Sequence, residues 1–192
     1  ITAEGDSVRM SYTVPSNLVA VGNGKLISKK DFGDKTTYEW FVSNPINNYN
    51  ISVQIGNYVA VQDTFLKDNE THFMNHYVLD YNKELASNFF PQSKEVIRFY
   101  EKYFGDYQWY NDGYKLVEVP YLGMEHQSAV TYGNGFSIYN GVRSQSWPMY
   151  GVIDPLIFHE TGHEWFGNSV TASDPTHIWI HEGLQVYSEA LY

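Results

Sequence analysis

The sequence predicts an α+β protein in which a β-rich part precedes a part that mixes strands and helices. Short β segments separated by turns fill the sequence from Val8 to about Val61. Helical periodicity begins later, over residues 93–105, and returns after Asp154. This change of pattern places a boundary near Asp63.

The predicted strands of the first part share alternating apolar residues and turn residues at their ends. They are residues 8–14, 18–21, 36–43 and 51–61, and residues 73–81 resemble one further strand. The cluster Gly22-Asn23-Gly24 also resembles the start of a nucleotide-binding glycine loop. Because no helical pattern follows the cluster, we predict a hairpin turn there instead.

Three helices are predicted in the second part. Residues 93–105 carry an apolar stripe at helical spacing that Gly105 ends; its members are Val96, Phe99, Tyr100, Tyr103 and Phe104. Predicted strands at 115–120 and 128–133 flank the turn YLGMEHQ. The second helix begins with Asp154 as N-cap and Pro155 at its first position, and Gly167-Asn168 closes it. The third begins near Ile180 and is predicted to continue to Tyr192.

The composition excludes several classes of function. Net charge is −10, with 12 Lys and Arg against 22 Asp and Glu, so we expect no nucleic-acid partner. The absence of cysteine excludes disulfides, thiolate metal sites and a thiol nucleophile. No apolar run reaches the length of a transmembrane segment, and the opening ITAEGDSVRM lacks the layout of a signal peptide. We expect a soluble protein, and the sequence assigns neither a cytoplasmic nor a periplasmic or secreted location, nor an oligomeric state.

The stretch His159-Glu160-Thr161-Gly162-His163 has the spacing His-Glu-x-x-His. On a helix, residues four apart point the same way, so both imidazoles can coordinate one ion. Glu160 is rotated by about 100° from His159 and can take a proton from water at the open face of the ion. This division of roles indicates a zinc metallopeptidase. The alternative is a surface helix with two titrating histidines.

Catalytic zinc usually has three protein ligands and keeps a fourth position for water. Glu182, 19 residues after His163 on the next predicted helix, is the candidate third ligand. A His-His-Glu set suits zinc better than calcium or magnesium. We therefore expect one Zn²⁺ per chain.

Two motifs in this order resemble the gluzincin aminopeptidases, the group of aminopeptidase N and leukotriene hydrolase. HETGHEWFGNSVT followed by WIHEGLQVYSEA is similar to the zinc motif of the family, and YLGMEHQSAVTYG is similar to its exopeptidase loop. The resemblance covers nearly the whole chain. It implies that residues 1–63 are the C-terminal part of a β-rich saddle domain. Residues 64–192 would be the N-terminal part of a thermolysin-like catalytic domain, truncated at its end.

The resemblance also implies roles for individual residues. His159, His163 and Glu182 would bind zinc, and Glu160 would be the general base that acts on metal-activated water. The enzyme would be a zinc aminopeptidase that releases N-terminal residues from peptides with a free N-terminus. Glu125, 34 residues before His159, would bind the α-ammonium group of the substrate.

Two further positions have roles that the resemblance implies. Gly123, which lacks a side chain, would let the substrate lie against the loop backbone. Glu189, seven residues beyond Glu182 on the same helical face, would orient a zinc-binding histidine.

The sequence departs from the family pattern at three positions. Leu122 stands where the family has its first loop glycine, and His126 and His181 stand where it has asparagines. These departures leave the proposed ligands and base in place and affect the details of amine recognition.

The transition-state tyrosine of the family lies downstream of residue 192, so we expect these 192 residues to be poorly active alone. Two alternatives to an aminopeptidase remain open, namely a zinc endopeptidase and a non-catalytic binding module on the same fold. Epoxide hydrolysis alongside peptidase activity, known within the family, is a third possibility. The pairs His72/His76 and His177/His181 are predicted to be packing or surface residues.

Overall fold

A computed structural model describes residues 4–136 and 153–192 of the chain. The strands are β1 (Glu4–Gly5), β2 (Val8–Pro15), β3 (Val19–Gly22), β4 (Lys25–Asp31), β5 (Lys35–Val42), β6 (Ile46–Asn47), β7 (Val53–Gly56), β8 (Tyr58–Lys67), β9 (Glu70–Leu79), β10 (Leu116–Glu118), β11 (Gly123–Met124) and β12 (Val130–Tyr132). The α-helices are α1 (Lys83–Phe89), α2 (Ser93–Phe104), α3 (Pro155–Gly162) and α4 (Trp179–Glu189). Short 3₁₀ turns are Asn48–Asn50, Asp80–Asn82, Phe90–Gln92 and Pro175–His177. This content confirms the predicted α+β class.

The β-rich part contains three small antiparallel sheets. Their strand orders are β2-β5-β4, β3-β7 and β1-β6. Side chains alternate along β5, so Tyr38, Trp40 and Val42 point to the same face and lie in a buried apolar cluster. The sequence prediction missed β4 because six of its seven residues are exposed, so the strand lacks the alternation that marks a half-buried strand.

The prediction of a hairpin at Gly22-Asn23-Gly24 is wrong. The turn joins β3 to β4, but β3 pairs with β7 and β4 pairs with β5, so the chain passes here from one sheet to another. Gly24 has φ +75°, and a Cβ atom there would lie 2.1 Å from the carbonyl oxygen of Phe41. Close approach of two backbones therefore requires glycine at this position.

A five-stranded mixed sheet has the order β11-β12-β10-β9-β8. β10 runs parallel to both β9 and β12, whereas β11 is antiparallel to β12 and forms one edge of the sheet. The stretch 121–127, predicted as a turn, therefore contains a short edge strand. This strand includes Gly123, the position at which substrate contact is predicted.

β8 shows how the two parts of the chain are joined. The stretch 51–61, predicted as one strand, is divided between β7 and β8 at Asn57. Asp63 lies in the middle of β8, with Tyr58 in the apolar cluster of the β-rich part and Val61 in the larger cluster around α2 and α3. The division into residues 1–63 and 64–192 remains a prediction.

The helices follow the predicted starts more closely than the predicted ends. Asp154 caps α3, its Oδ1 accepting from the backbone N–H groups of Leu156 at 2.7 Å and Ile157 at 3.1 Å. α3 ends at Gly162 and not at Gly167, and α4 ends at Glu189, so its predicted continuation to Tyr192 is wrong. Backbone bonds beyond Glu189 are of the i→i+3 kind, which closes a helix with a tighter turn.

Gly162 lets α3 pack closely against its two neighbouring helices. A Cβ atom at Gly162 would lie 2.1 Å from the hydroxyl oxygen of Tyr100 on α2 and 2.2 Å from Gln185 Oε1 on α4. The helix that carries the His-Glu-x-x-His motif thus lies tightly between α2 and α4.

Candidate metal centre

Two imidazoles at the C-terminal end of α3 face the same point. His159 lies in the last turn of the helix, and His163 follows it in helical conformation, with φ −63° and ψ −16°. The Nε2 atoms of the two rings are 3.2 Å apart, and both residues are buried. The spacing of four residues therefore brings the two nitrogens together as helix geometry requires.

The second nitrogen of each ring has a partner that fixes the ring. His163 Nδ1 lies 2.8 Å from the carbonyl oxygen of Phe166, and His159 Nδ1 lies 2.7 Å from Glu189 Oε1. A carbonyl oxygen only accepts, so Nδ1 of His163 carries the proton, and a carboxylate favours the same tautomer in His159. With Nδ1 protonated, each ring presents Nε2 as the atom that can bind a metal, as in known zinc sites.

Glu182, in the first turn of α4, completes a triangle. Its Oε2 atom lies 3.5 Å from His159 Nε2 and 3.8 Å from His163 Nε2. A tetrahedral zinc ion with ligands at about 2.0–2.1 Å separates those ligands by about 3.4 Å. The three observed distances bracket this value, so the donor set fits zinc in both chemistry and size. The Glu182 side chain is 57% exposed, which leaves one side of the triangle open.

Glu160 lies beside this triangle. Ligand atoms of His159, Glu160 and His163 all fall within 4.8 Å of one another. A Cβ atom at Gly123 would lie 2.9 Å from Glu160 Oε1, so the edge strand β11 passes directly over the carboxylate. Gly123 is therefore needed for space around Glu160, a reason that the sequence did not indicate.

The site concentrates negative charge. Burial alone would lower the pKa of His159, but hydrogen bonds to Glu182 and Glu189 and the charge of Glu160 raise it to about 9. The pKa of His163 is lowered, chiefly by burial, although the charge of Glu125 opposes this. Four carboxylates thus act on two imidazoles, an arrangement that favours a bound cation.

The loop that carries Glu125 lies close to the metal centre. Glu125 is 9% exposed, its charge acts on both His163 and His181, and its backbone oxygen accepts a hydrogen bond of 3.0 Å from Asn168 Nδ2. Among the departures from the family pattern, Leu122 is 49% exposed, while burial lowers the pKa of His126. The structure therefore brings the proposed amine-binding residue near the histidines.

Sequence reasoning missed two buried ionisable residues next to this loop, Glu164 and Lys115. Burial raises the pKa of Glu164 to about 8, and Glu164 Oε1 accepts from the backbone N–H of Ser128 at 2.7 Å. Burial lowers the pKa of Lys115 to about 7, and its Nζ donates to the carbonyl oxygens of Gly24 and Ser128 at 2.7 and 2.8 Å. Glu164 directly follows His163, but the motif assigns no role to that position.

One histidine of each remaining pair, His76 and His181, is buried and accepts a backbone hydrogen bond. His76 is fully buried, its Nδ1 accepts from the backbone N–H of Leu116 at 2.9 Å, and burial lowers its pKa to about 3. His181 Nε2 accepts from the backbone N–H of Ala172 at 2.9 Å. Both residues serve the structural role that was predicted for them.

A cavity of about 590 Å³ lies apart from the metal centre. It is lined by residues of β4, β5, β8 and β9 and of the stretch 110–115, with Trp40, Tyr77 and Lys115 among them. None of its described lining residues belongs to the proposed site. The candidate site is therefore the open triangle and the adjacent edge strand, and not this cavity.

Comparison with known proteins identifies the family. A model of the Peptidase family M1 domain matches residues 88–192, more than half of the chain. The chain belongs to peptidase family M1. The resemblance stated from the sequence is confirmed.

Relatives of this M1 chain include named aminopeptidases. It is 24% identical over 186 residues to Aminopeptidase M1-D of Oryza sativa subsp. japonica, covering 95% of this chain and 21% of that protein. It is 23% identical over 191 residues to the leucyl aminopeptidase of Saccharolobus solfataricus, covering 93% of this chain and 22% of that protein. The chain thus spans about a fifth of the length of these relatives.

Solved structures share the fold of this M1 chain. An M1 zinc metallopeptidase from Deinococcus radiodurans matches with a TM-score of 0.75 at 19% identity, covering 96% of this chain and 40% of that one. At this identity the likeness supports the fold alone. Within residues 4–136 and 153–192, no helix has the length and apolar character needed to cross a membrane.

Proposed function

We propose that the protein containing this chain is a zinc-dependent aminopeptidase that releases N-terminal residues from peptides. The observation that carries the proposal is the triangle of His159 Nε2, His163 Nε2 and Glu182 Oε2, with sides of 3.2, 3.5 and 3.8 Å. The named aminopeptidases among the relatives support the same activity.

These three residues would hold the metal. When bound, zinc would supply Lewis-acid polarisation of the scissile carbonyl and activation of water. Burial of the two histidines and the hydrogen bonds to their Nδ1 atoms keep both rings in place before metal arrives. Glu189 acts through His159, because the carboxylate fixes the ring orientation and raises the basicity of Nε2.

Glu160 would be the general base. It would accept a proton from the attacking water and return it to the leaving amine. Its carboxylate is buried beside the two histidines and against the backbone of Gly123. A substrate aligned along β11 would therefore place its scissile bond next to the carboxylate.

Glu125 would bind the free amine of the substrate. It directly follows β11, whose outer side forms an edge of the described sheet. A peptide can add to such an edge by backbone hydrogen bonds, so that its N-terminus meets the next side chain of the loop. The charge of Glu125 at the end of the edge strand would limit cleavage to the first peptide bond.

The test compares free and N-acetylated aminoacyl substrates in the full-length protein, with Glu125→Gln and Glu160→Gln beside the wild type. We expect Glu160→Gln to retain zinc and lose about 10²–10⁴ in kcat. Loss of a charged hydrogen bond in Glu125→Gln should cost about 10–100-fold in kcat/KM on free-amine substrates. As a matched control, Glu84→Gln on exposed α1 should change neither value.

Two results would contradict the proposal, and each would favour a different function. Equal turnover of the acetylated and free substrates would indicate an endopeptidase. Bound zinc without turnover of any aminoacyl amide would indicate a non-catalytic binding module.

A further inference from the structure

Asn168 lies between the metal centre and the loop that carries Glu125. Its backbone N–H donates to the carbonyl oxygen of His163 at 3.0 Å. Its side-chain Nδ2 donates to the backbone oxygen of Glu125 at 3.0 Å. One buried residue therefore connects a proposed zinc ligand directly to the proposed amine-binding residue.

The orientation of the Asn168 amide is fixed by its partners. Nδ2 must be the atom that faces the Glu125 carbonyl, because a carbonyl oxygen only accepts. The same Nδ2 donates to Glu164 Oε2 at 3.2 Å, and Oδ1 accepts from Asn50 Nδ2 at 2.6 Å. Asn168 is only 6% exposed, so these bonds form away from solvent.

Two further buried asparagines extend this connection into the β-rich part. Asn50 and Asn23 have no exposed surface. Asn23 Nδ2 donates to the backbone oxygens of Asn50 at 2.9 Å and Gln127 at 2.7 Å. The loop is therefore held at Glu125 through Asn168 and Asn50, and at Gln127 through Asn23.

The following residue of the loop is held in the same way. Ser128 has φ +59°, a left-handed conformation that is unusual for a residue other than glycine. Its N–H donates to Glu164 Oε1 at 2.7 Å, and its Oγ accepts from the N–H of Gly24 at 2.8 Å. Loop residues 125–128 are therefore fixed by both parts of the chain.

From this network we infer that Asn168 is a positioning residue for amine recognition. It holds the Glu125 backbone at a set distance from His163, and Asn50 orients the Asn168 amide from the β-rich part. The inference rests on the proposed function, since it requires that Glu125 binds the substrate amine. The β-rich part would then contribute to recognition of the N-terminus through buried side chains that do not touch substrate.

The experiment measures the inhibition constants of two zinc-directed inhibitors on the full-length, zinc-loaded protein. One is the hydroxamate of L-leucine, and the other is the hydroxamate of isocaproic acid, which lacks the α-amino group. Asn168→Ala should weaken binding of the leucine hydroxamate about tenfold, the loss expected when a buried hydrogen bond is removed. Binding of the isocaproic hydroxamate should stay within about twofold of the wild-type value. A general loosening of the site would weaken both inhibitors alike.

Two variants complete the design. Asn50→Ala keeps the bond from Asn168 to Glu125 but removes the partner that orients the amide, so a selective loss of about threefold is expected. If Asn168→Ala does not fold, Asn50→Ala decides the result. Asn88→Ala, at an exposed asparagine of α1, is the matched control and should change neither inhibitor.

The outcomes separate the inference from the proposed function. Selective weakening of the amine-bearing inhibitor supports the positioning role, whereas equal loss on both inhibitors, or no loss, overturns it. Glu125→Ala is measured in parallel. If it does not distinguish the inhibitors, the amine-binding role of Glu125 fails; if it does but the asparagine variants do not, only the inference fails.

Discussion

The two helices that carry the proposed zinc ligands are built differently. Every residue of α3 from Leu156 to Gly162 is buried, and a side-chain cap fixes its start. α4 has no side-chain cap, and its buried residues are confined to one face; they are His181, Gln185, Ser188 and Glu189. Two of the proposed ligands are therefore fixed by the core, whereas the position of the third depends on how α4 docks.

The docking of α4 is set by hydrogen bonds to buried groups. Gln185 Nε2 donates to the hydroxyl of Tyr100 at 2.8 Å, and Ser188 Oγ lies 2.7 Å from the same hydroxyl. Glu189 Oε1 lies 2.7 Å from His159 Nδ1. Because Glu182 precedes Gln185 by three residues and Glu189 by seven, these contacts also turn Glu182 towards the histidines.

The largest effect expected from this difference is on zinc affinity. Glu189→Gln replaces a carboxylate with a neutral amide at the contact that joins the two helices. Loss of such an outer partner typically costs about 10–100-fold in metal affinity. Competition with a chelator of known zinc affinity measures the loss. Unchanged affinity would show that α4 does not support His159.

Substitution of one glycine in each helix tests how tightly the two helices are packed. Gly162→Ala on α3 places a methyl group against Tyr100 and Gln185, so the free energy of unfolding should fall by about 1–3 kcal/mol. At Gly183 on α4 a Cβ atom would approach no nearer than 3.7 Å to Trp179. Gly183→Ala should therefore raise the free energy of unfolding by about 0.5–1 kcal/mol, through helix propensity. Denaturant unfolding checks both, and effects of equal sign would contradict the comparison.

His76 is a buried histidine without a metal role, and its effect on stability emerges only at acidic pH. Its pKa is lowered to about 3 in the folded state against about 6.5 when unfolded, so between these values the unfolded chain binds more protons. As the pH decreases from 6 to 4, the free energy of unfolding should therefore fall more steeply in the wild type than in His76→Gln. The difference in slope should be about 1 kcal/mol per pH unit. His72→Gln is the control. Parallel pH profiles for wild type and His76→Gln would contradict the neutral, buried state of His76.

The local features of the site could be predicted from the sequence. Spacing on one helix brings His159 and His163 together, and Asp154 and Pro155 mark where that helix begins. The fold class and the family followed from strand patterns and from two motifs in order. These features depend on residues within one or two helical turns, or on a family pattern that carries the longer range.

The contacts between distant segments could not be predicted in this way. Asn50 and Asn168 are 118 residues apart, and nothing in the local pattern of either indicates a buried hydrogen bond between them. Strand β4 was missed because its side chains are exposed on both faces. The end of α4 was misplaced because the apolar residues after Glu189 continue a helical pattern that the backbone does not follow.

The most direct test of the central claim is the zinc content of the full-length protein after dialysis at neutral pH. The wild type is compared with His163→Ala, directly after α3, and Glu182→Ala on α4. We predict about one zinc ion per chain in the wild type and loss of zinc in both variants, since each removes one of three ligands. A wild type without zinc, or Glu182→Ala that retains zinc with unchanged affinity, would contradict the claim that these three groups form one site.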